Sequence, residues 1–160
     1  MWISRKTDYA TRAVLALAIV DGESLKSHEI AARTHIPASF LEQIMAQLRG
    51  AGLVRSVRGP AGGYKLNHPP ADISLEKVVR LFQGPLAPIA CATRFEPEFC
   101  PMDPGCSLKR TWAEVRDVTR AILERTNFAD LAMQASGAWT QPVTETRQTT
   151  PVLQPRSAPR

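Results

Sequence analysis

The chain has 160 residues, with 20 Lys and Arg against 15 Asp and Glu and a net charge of +5, which bounds it to one domain with a core plus appended structure and suits a polyanionic partner, because clustered cations displace counterions from phosphates. No stretch approaches the roughly 20 apolar residues needed to cross a bilayer, and residues 1–6 lack the basic and apolar regions of a signal peptide, so a cytoplasmic protein with no membrane partner is expected. In that reducing compartment an odd set of three cysteines argues against a disulfide framework.

A first helix is predicted over residues 7–20, where the capping residue Thr7 precedes an Ala- and Leu-rich segment with Tyr9, Ala13, Leu17 and Ala18 near helical spacing. A second short helix starts behind Ser27 and runs to about Arg33, broken by Thr34, His35, Ile36 and Pro37. The third begins near Ala38, where Ser39 and Glu42 have the spacing of a capping box. Its Leu41, Ile44, Met45 and Leu48 recur at intervals of three and four, which makes one inward face and leaves Glu42, Gln43 and Gln47 elsewhere.

Residues 53–57 and 64–66 read as strands joined by a turn containing Gly59, Gly62 and Gly63. These glycines lie between two strands rather than between a strand and a helix, so they supply turn angles and not a phosphate loop. The result is a mainly α chain with a small β-hairpin wing. Three helices followed by such a hairpin make a winged helix-turn-helix, in which the third helix enters the major groove and the wing meets the backbone or minor groove. Charge agrees: residues 1–66 hold nine cations against five acids, and residues 67–160 eleven against ten.

Ser74 caps a further helix through Phe82 that stops at Gln83, Gly84 and Pro85. A proline-rich loop with all three cysteines comes next. A long helix over 107–125 then shows Leu108, Trp112, Val115, Val118 and Ile122 on one side, a face suited to a second subunit. Asn127 caps a short last helix, and from residue 136 Pro, Thr and Gln dominate, which reads as a disordered tail. The predicted organisation is a DNA-binding unit with its following helix over 1–84, a cysteine loop over 85–106, dimerisation and terminal helices over 107–135, and the tail over 136–160.

Phe40-Leu41-Glu42-Gln43, Leu48-Arg49 and the run from Gly52 to Tyr64 (GLVRSVRGPAGGY) resemble the bacterial iron–sulfur regulator family that contains IscR, NsrR and RirA. Thr7-Asp8-Tyr9-Ala10, Asp72-Ile73-Ser74-Leu75 and Phe128-Ala129-Asp130-Leu131 also fit it. The resemblance covers roughly residues 1–134 and implies a homodimeric, non-enzymatic transcription regulator whose cluster responds to redox state, iron or nitric oxide. It further implies a roughly palindromic double-stranded operator.

For DNA reading the resemblance points to Ser39, Glu42, Gln43 and Arg58, and Arg55 and Lys65 extend the basic hairpin. Glutamate can accept from cytosine N4, glutamine can bond adenine twice, and a wing arginine suits a narrow minor groove. A capping box alone would also account for Ser39 and Glu42, and a solvated hairpin for Arg55, Arg58 and Lys65.

Cys91, Cys100 and Cys106 are separated by eight and then five residues. Thiolates are soft ligands for zinc or iron–sulfur iron, and the spacing is not that of a zinc finger, which favours two residues between ligands. Buried structural thiols and a thiol redox switch are the other readings. The resemblance implies that the three hold an iron–sulfur cluster, 2Fe–2S or 4Fe–4S. The IscR branch takes a histidine three residues after its last cysteine, where this chain has Lys109; the NsrR branch takes an acid of the first helix from the partner subunit, which would be Asp8. Asp8 also fits a first-turn acid favoured by the helix dipole. A cysteine-nucleophile enzyme is disfavoured, since no histidine follows Cys91.

Overall fold

The computed structural model describes residues 3–60, 62–93, 99–103 and 105–139. In chain order it contains α1 (Arg5–Ile19), α2 (Ser27–Thr34), α3 (Ala38–Gly50), β1 (Val54–Val57), β2 (Gly63–Leu66), α4 (Leu75–Gln83), α5 (Ser107–Arg125) and α6 (Phe128–Gln134). Short 3-10 turns lie at Pro70–Asp72, Ala90–Ala92 and Gly137–Trp139.

The fold is wrapped around α1. Ala10, Ala13, Val14 and Leu17 are buried in its middle and meet Ile30 of α2, Leu41, Ile44, Met45 and Leu48 of α3, Val78 of α4 and Phe128 of α6 in one apolar cluster. The small residues of α1 allow neighbouring helices to approach closely, and each buried Leu or Ile contributes about 1.5–3 kcal/mol relative to exposure.

The start signals of α1 and α2 differ from the sequence expectation. Helix α1 opens at Arg5 because Ser4, not Thr7, accepts the Thr7 N–H at 3.1 Å. Thr7 is instead buried in the first turn, its hydroxyl donating to Gln83 Oε1 at 3.1 Å and so tying α1 to the end of α4. Likewise, Ser27 is the first helical residue of α2, and the backbone N–H of the preceding Lys26 donates to Glu29 Oε2 at 2.6 Å. At the end of α2, His35 adopts a left-handed conformation with φ 56°, which reverses the chain toward α3. Ser74 and Asn127 cap α4 and α6 as expected, accepting from Lys77 N and Asp130 N.

Strands β1 and β2 pair antiparallel, with Val54 opposite Leu66 and Arg55 opposite Lys65. The hairpin does not project freely. Leu25 exchanges both backbone hydrogen bonds with Tyr64, at 2.9 and 2.8 Å, fastening β2 to the segment before α2. Gly63 is required there by space as well as by angle: a Cβ on it would lie 2.3 Å from the Leu25 carbonyl oxygen.

Helix α5 buries none of its side chains. Its last turn is held by Leu75 N–H donating to the Thr126 carbonyl at 2.8 Å, while Phe128 N–H donates to Ile73 at 3.1 Å. Leu108, Trp112, Val115, Val118 and Ile122 remain exposed. Of the expected tail, Trp139 packs against the core, and residues 140–160 lie outside the described residues.

Candidate DNA-binding surface and cysteine loop

Because Leu41, Ile44, Met45 and Leu48 point inward, α3 turns the opposite side to solvent, and Ser39, Glu42, Gln43, Ala46 and Arg49 fall on that exposed side. The expected capping box does not form. Pro37 occupies the cap position, its carbonyl accepting from Phe40 and Leu41 N–H at 3.0 Å each, so Ser39 lies inside the first turn. Ser39 and Glu42 are thereby released from the capping role that would have explained them without DNA. Among the described residues no side-chain hydrogen bond engages Ser39, Glu42 or Gln43. Phe40 is half-exposed beside them, its ring edge-on to Tyr9 at 5.9 Å.

In the wing, Arg58 is exposed at the turn and Arg55 is exposed on β1. Lys65, directly opposite Arg55, avoids like-charge repulsion by sending its ammonium to the Gly22 carbonyl at 3.1 Å. Arg49 was not singled out from the sequence, yet it joins the recognition surface to the wing by reaching Ser56 Oγ at 3.4 Å. Its spacing of three from Ala46 and six from Gln43, on one face of the helix, was the available signal.

The cysteines lie on the connection between α4 and α5. Cys91 sits in the Ala90–Ala92 turn, Cys100 accepts Asp103 N–H at its carbonyl at 3.1 Å, and Cys106 occupies the cap position of α5. All three are free thiols and half-buried. Arg116 of α5 pins the first turn by donating to the Ala92 carbonyl.

Lys109 lies one turn into α5 and donates to Asp103 Oδ2 at 2.5 Å. That hydrogen bond holds its ammonium pKa above the usual lysine value, and the charges of Asp103, Cys91 and Cys100 act in the same direction. Cys106 stands at the N-terminus of α5 with no side-chain cap hydrogen bond.

Among the described residues, no three His, Cys, Asp or Glu side chains converge as a metal-binding group. The donor set nevertheless suits a soft metal centre, with three free thiols on the one connection between α4 and α5. Asp8 is engaged elsewhere in the same chain, its carboxylate paired with Arg12 at 2.7 Å. It lies in an open groove with Ile3, Arg5, Leu75, Val79 and Leu123.

Residues 3–134 match the family model described as Rrf2, iron-dependent transcriptional regulator. A putative HTH-type transcriptional regulator, rrf2-like, of Rhodobacter capsulatus is 39% identical over 120 residues, covering 71% of this chain and 80% of that protein. Among solved structures, CymR, described as the global cysteine regulator of B. subtilis, superposes with a TM-score of 0.74 at 30% identity over 85% of this chain and 99% of that one. IscR of T. potens superposes with a TM-score of 0.69 at 31% identity, covering 85% and 89%.

Proposed function

This chain belongs to the Rrf2 family of DNA-binding transcription regulators, and we propose that it reads its operator with Ser39, Glu42 and Gln43 of α3 and Arg58 of the wing, under the control of an iron–sulfur cluster held by Cys91, Cys100 and Cys106. The observation that carries the DNA half is the exposed first turn of α3, where Ser39, Glu42 and Gln43 lack intramolecular side-chain hydrogen bonds among the described residues. A hydroxyl, a carboxylate and an amide at the start of a recognition helix can read base edges in the major groove. Arg58 would enter the backbone or minor groove, Arg55 would meet phosphate, and Lys65 would do so by leaving the Gly22 carbonyl.

The regulator acts as a homodimer joined along α5, and its two α3 helices face one roughly palindromic site. Cys91, Cys100 and Cys106 would hold the cluster, and Asp8 of the partner subunit, here paired with Arg12, would be its fourth ligand. When bound, the cluster supplies a centre that redox change or a small ligand can alter. The chain's own contribution is to convert that change into geometry: Cys91 and Cys106 belong to segments anchored on α5, so drawing them together biases how the paired helices sit.

A second reading has one specific observation in its favour: the thiols are free and do not converge with other ligands among the described residues. In that reading they form a thiol redox switch or a zinc site. Anaerobically purified protein separates the two. An iron–sulfur chromophore lost alike in Cys91→Ala, Cys100→Ala and Cys106→Ala supports the cluster, whereas colourless, iron-free protein supports the switch or zinc. Asp8→Ala should retain the chromophore but lose it faster on exposure to air or chelator, because a hard oxygen ligand is the weakest member of the set. Unchanged cluster lifetime would remove Asp8 from it.

A further inference from the structure

Among the described residues of the three helices and the wing, residues 5–66, Phe40 is the one large apolar side chain left exposed, at 44%. It stands in the first turn of α3, next to Ser39 and three residues before Gln43. The inward face of this helix is already filled by the buried Leu41, Ile44, Met45 and Leu48, so the core does not require a ring at position 40. A ring left half in water forgoes much of the stabilisation that burial would bring.

The ring is nonetheless held in place. Its edge meets the partly buried Tyr9 of α1, with centroids 5.9 Å apart and planes at 76°, the edge-to-face arrangement that aromatic pairs favour. Tyr9 is braced in turn, because it packs against the core and the Arg12 guanidinium lies 5.9 Å from its ring. Phe40 is thus steadied on one side and open on the side toward Gln43. At 3.6 residues per turn the two side chains lie about 60° apart around α3 and about 4.5 Å apart along it. A helix that presents Gln43 to a base edge therefore presents Phe40 to the same base pair or the next.

Phe40 has no polar side-chain atom to offer a phosphate or a base edge. In the major groove the apolar group that a base displays is the C5-methyl of thymine. We infer that Phe40 is a specificity-determining residue whose ring packs on a thymine methyl at the base step that Gln43 reads. This rests on the reading of α3 as the recognition helix. Ser39, Glu42 and Gln43 act there through hydrogen bonds, and Phe40 adds the contact that recognises a methyl group.

The test lets the full-length protein, purified anaerobically, select an operator from random double-stranded DNA, and then replaces each thymine of that operator singly by deoxyuridine. The replacement removes the methyl and keeps every hydrogen-bonding group of the base. Fluorescence anisotropy should find a thymine in each half-site whose replacement weakens wild-type binding about fourfold, the worth of one buried methyl. Phe40→Ala should lose the distinction between thymine and deoxyuridine at that position, Phe40→Leu should keep part of it, and Gln43→Ala should keep it whole. Thermal unfolding checks the fold of each variant, and the deoxyuridine series on the wild-type protein needs no variant at all. A wild-type protein that selects no sequence would overturn both this inference and the recognition role of α3. Selection of an operator without a deoxyuridine-sensitive thymine, or sensitivity that persists in Phe40→Ala, would overturn the role of Phe40 alone.

Discussion

At the scale of single residues, Gly63 has the least room for a side chain of the described glycines. A Cβ on Gly63 would sit 2.3 Å from the Leu25 carbonyl oxygen and 2.9 Å from Lys26 N. Gly63→Ala must therefore separate β2 from Leu25, and a loss of about 1–3 kcal/mol in urea unfolding is the expected outcome. Gly50, at the end of α3, has nothing within 4 Å of a built Cβ and no positive φ. Gly50→Ala should be neutral or stabilise by up to about 1 kcal/mol through reduced freedom of the unfolded chain. Equal effects of the two substitutions would contradict the steric account.

The DNA-facing side chains are separable by a similar contrast. Gln43→Ala should cost about 1–3 kcal/mol on the preferred operator and little on random DNA, because an amide bonds base edges. Arg58→Ala should weaken binding to both and lower the slope of log affinity against log salt by about one, because a guanidinium neutralises phosphate. Filter binding at several salt concentrations measures both, and a sequence-independent loss in Gln43→Ala would move that residue to the backbone.

Among the elements, α5 is the one whose sequence and surroundings disagree most. Its apolar side chains recur on one face, yet Val118 is 61% exposed and Leu108 66% exposed within the chain, and large exposed apolar faces mark interaction surfaces. Val118→Asp places a charge in the middle of that face. Sedimentation should show a shift toward monomer with helical content retained; an unchanged oligomeric state would exclude this face as the interface.

The limits of α5, Ser107–Arg125, were legible because a proline-rich loop precedes it and Asn127 caps the next helix, α6. Ser74 was legible for the same local reason. The start of α3 near Ala38 was legible too, but its cap was not: Ser39 and Glu42 have capping-box spacing, whereas Pro37 carries a backbone already set for the cap position, φ −58° and ψ 137°, and its carbonyl takes the first helical hydrogen bonds. The clustering of the three thiols was legible, whereas their lysine neighbour depends on how α5 and the loop before it fold together, which no spacing records.

For the molecule as a whole, two α3 helices related by a two-fold axis in the proposed homodimer would fix the distance between half-sites. Centres about 34 Å apart correspond to one turn of B-DNA. Inserting about five base pairs between half-sites should abolish dimer binding by rotating one site to the opposite side of the duplex, while about ten should restore part of it. Electrophoretic mobility shifts on such a spacing series measure this, and indifference to the five-pair insertion would mean that the subunits bind independently.

Backbone hydrogen bonds hold α5 at its C-terminal end, and a side-chain hydrogen bond from Arg116 to the Ala92 carbonyl ties its middle to the cysteine loop. Its final turn is stitched to Ile73 and Leu75, while Cys106 stands at the other end of nineteen residues that bury no side chain. Such a rod is about 28 Å long, and by simple trigonometry a tilt of about ten degrees at the stitched end carries the Cys106 end through about 5 Å. The arrangement is a lever with its fulcrum beside α4 and its long arm at Cys106, coupled through Arg116 to the turn that holds Cys91. Small displacements near Thr126 are magnified at the thiols, and displacements at the thiols arrive at the fulcrum reduced in amplitude but multiplied in force, on the helix that packs directly against α1.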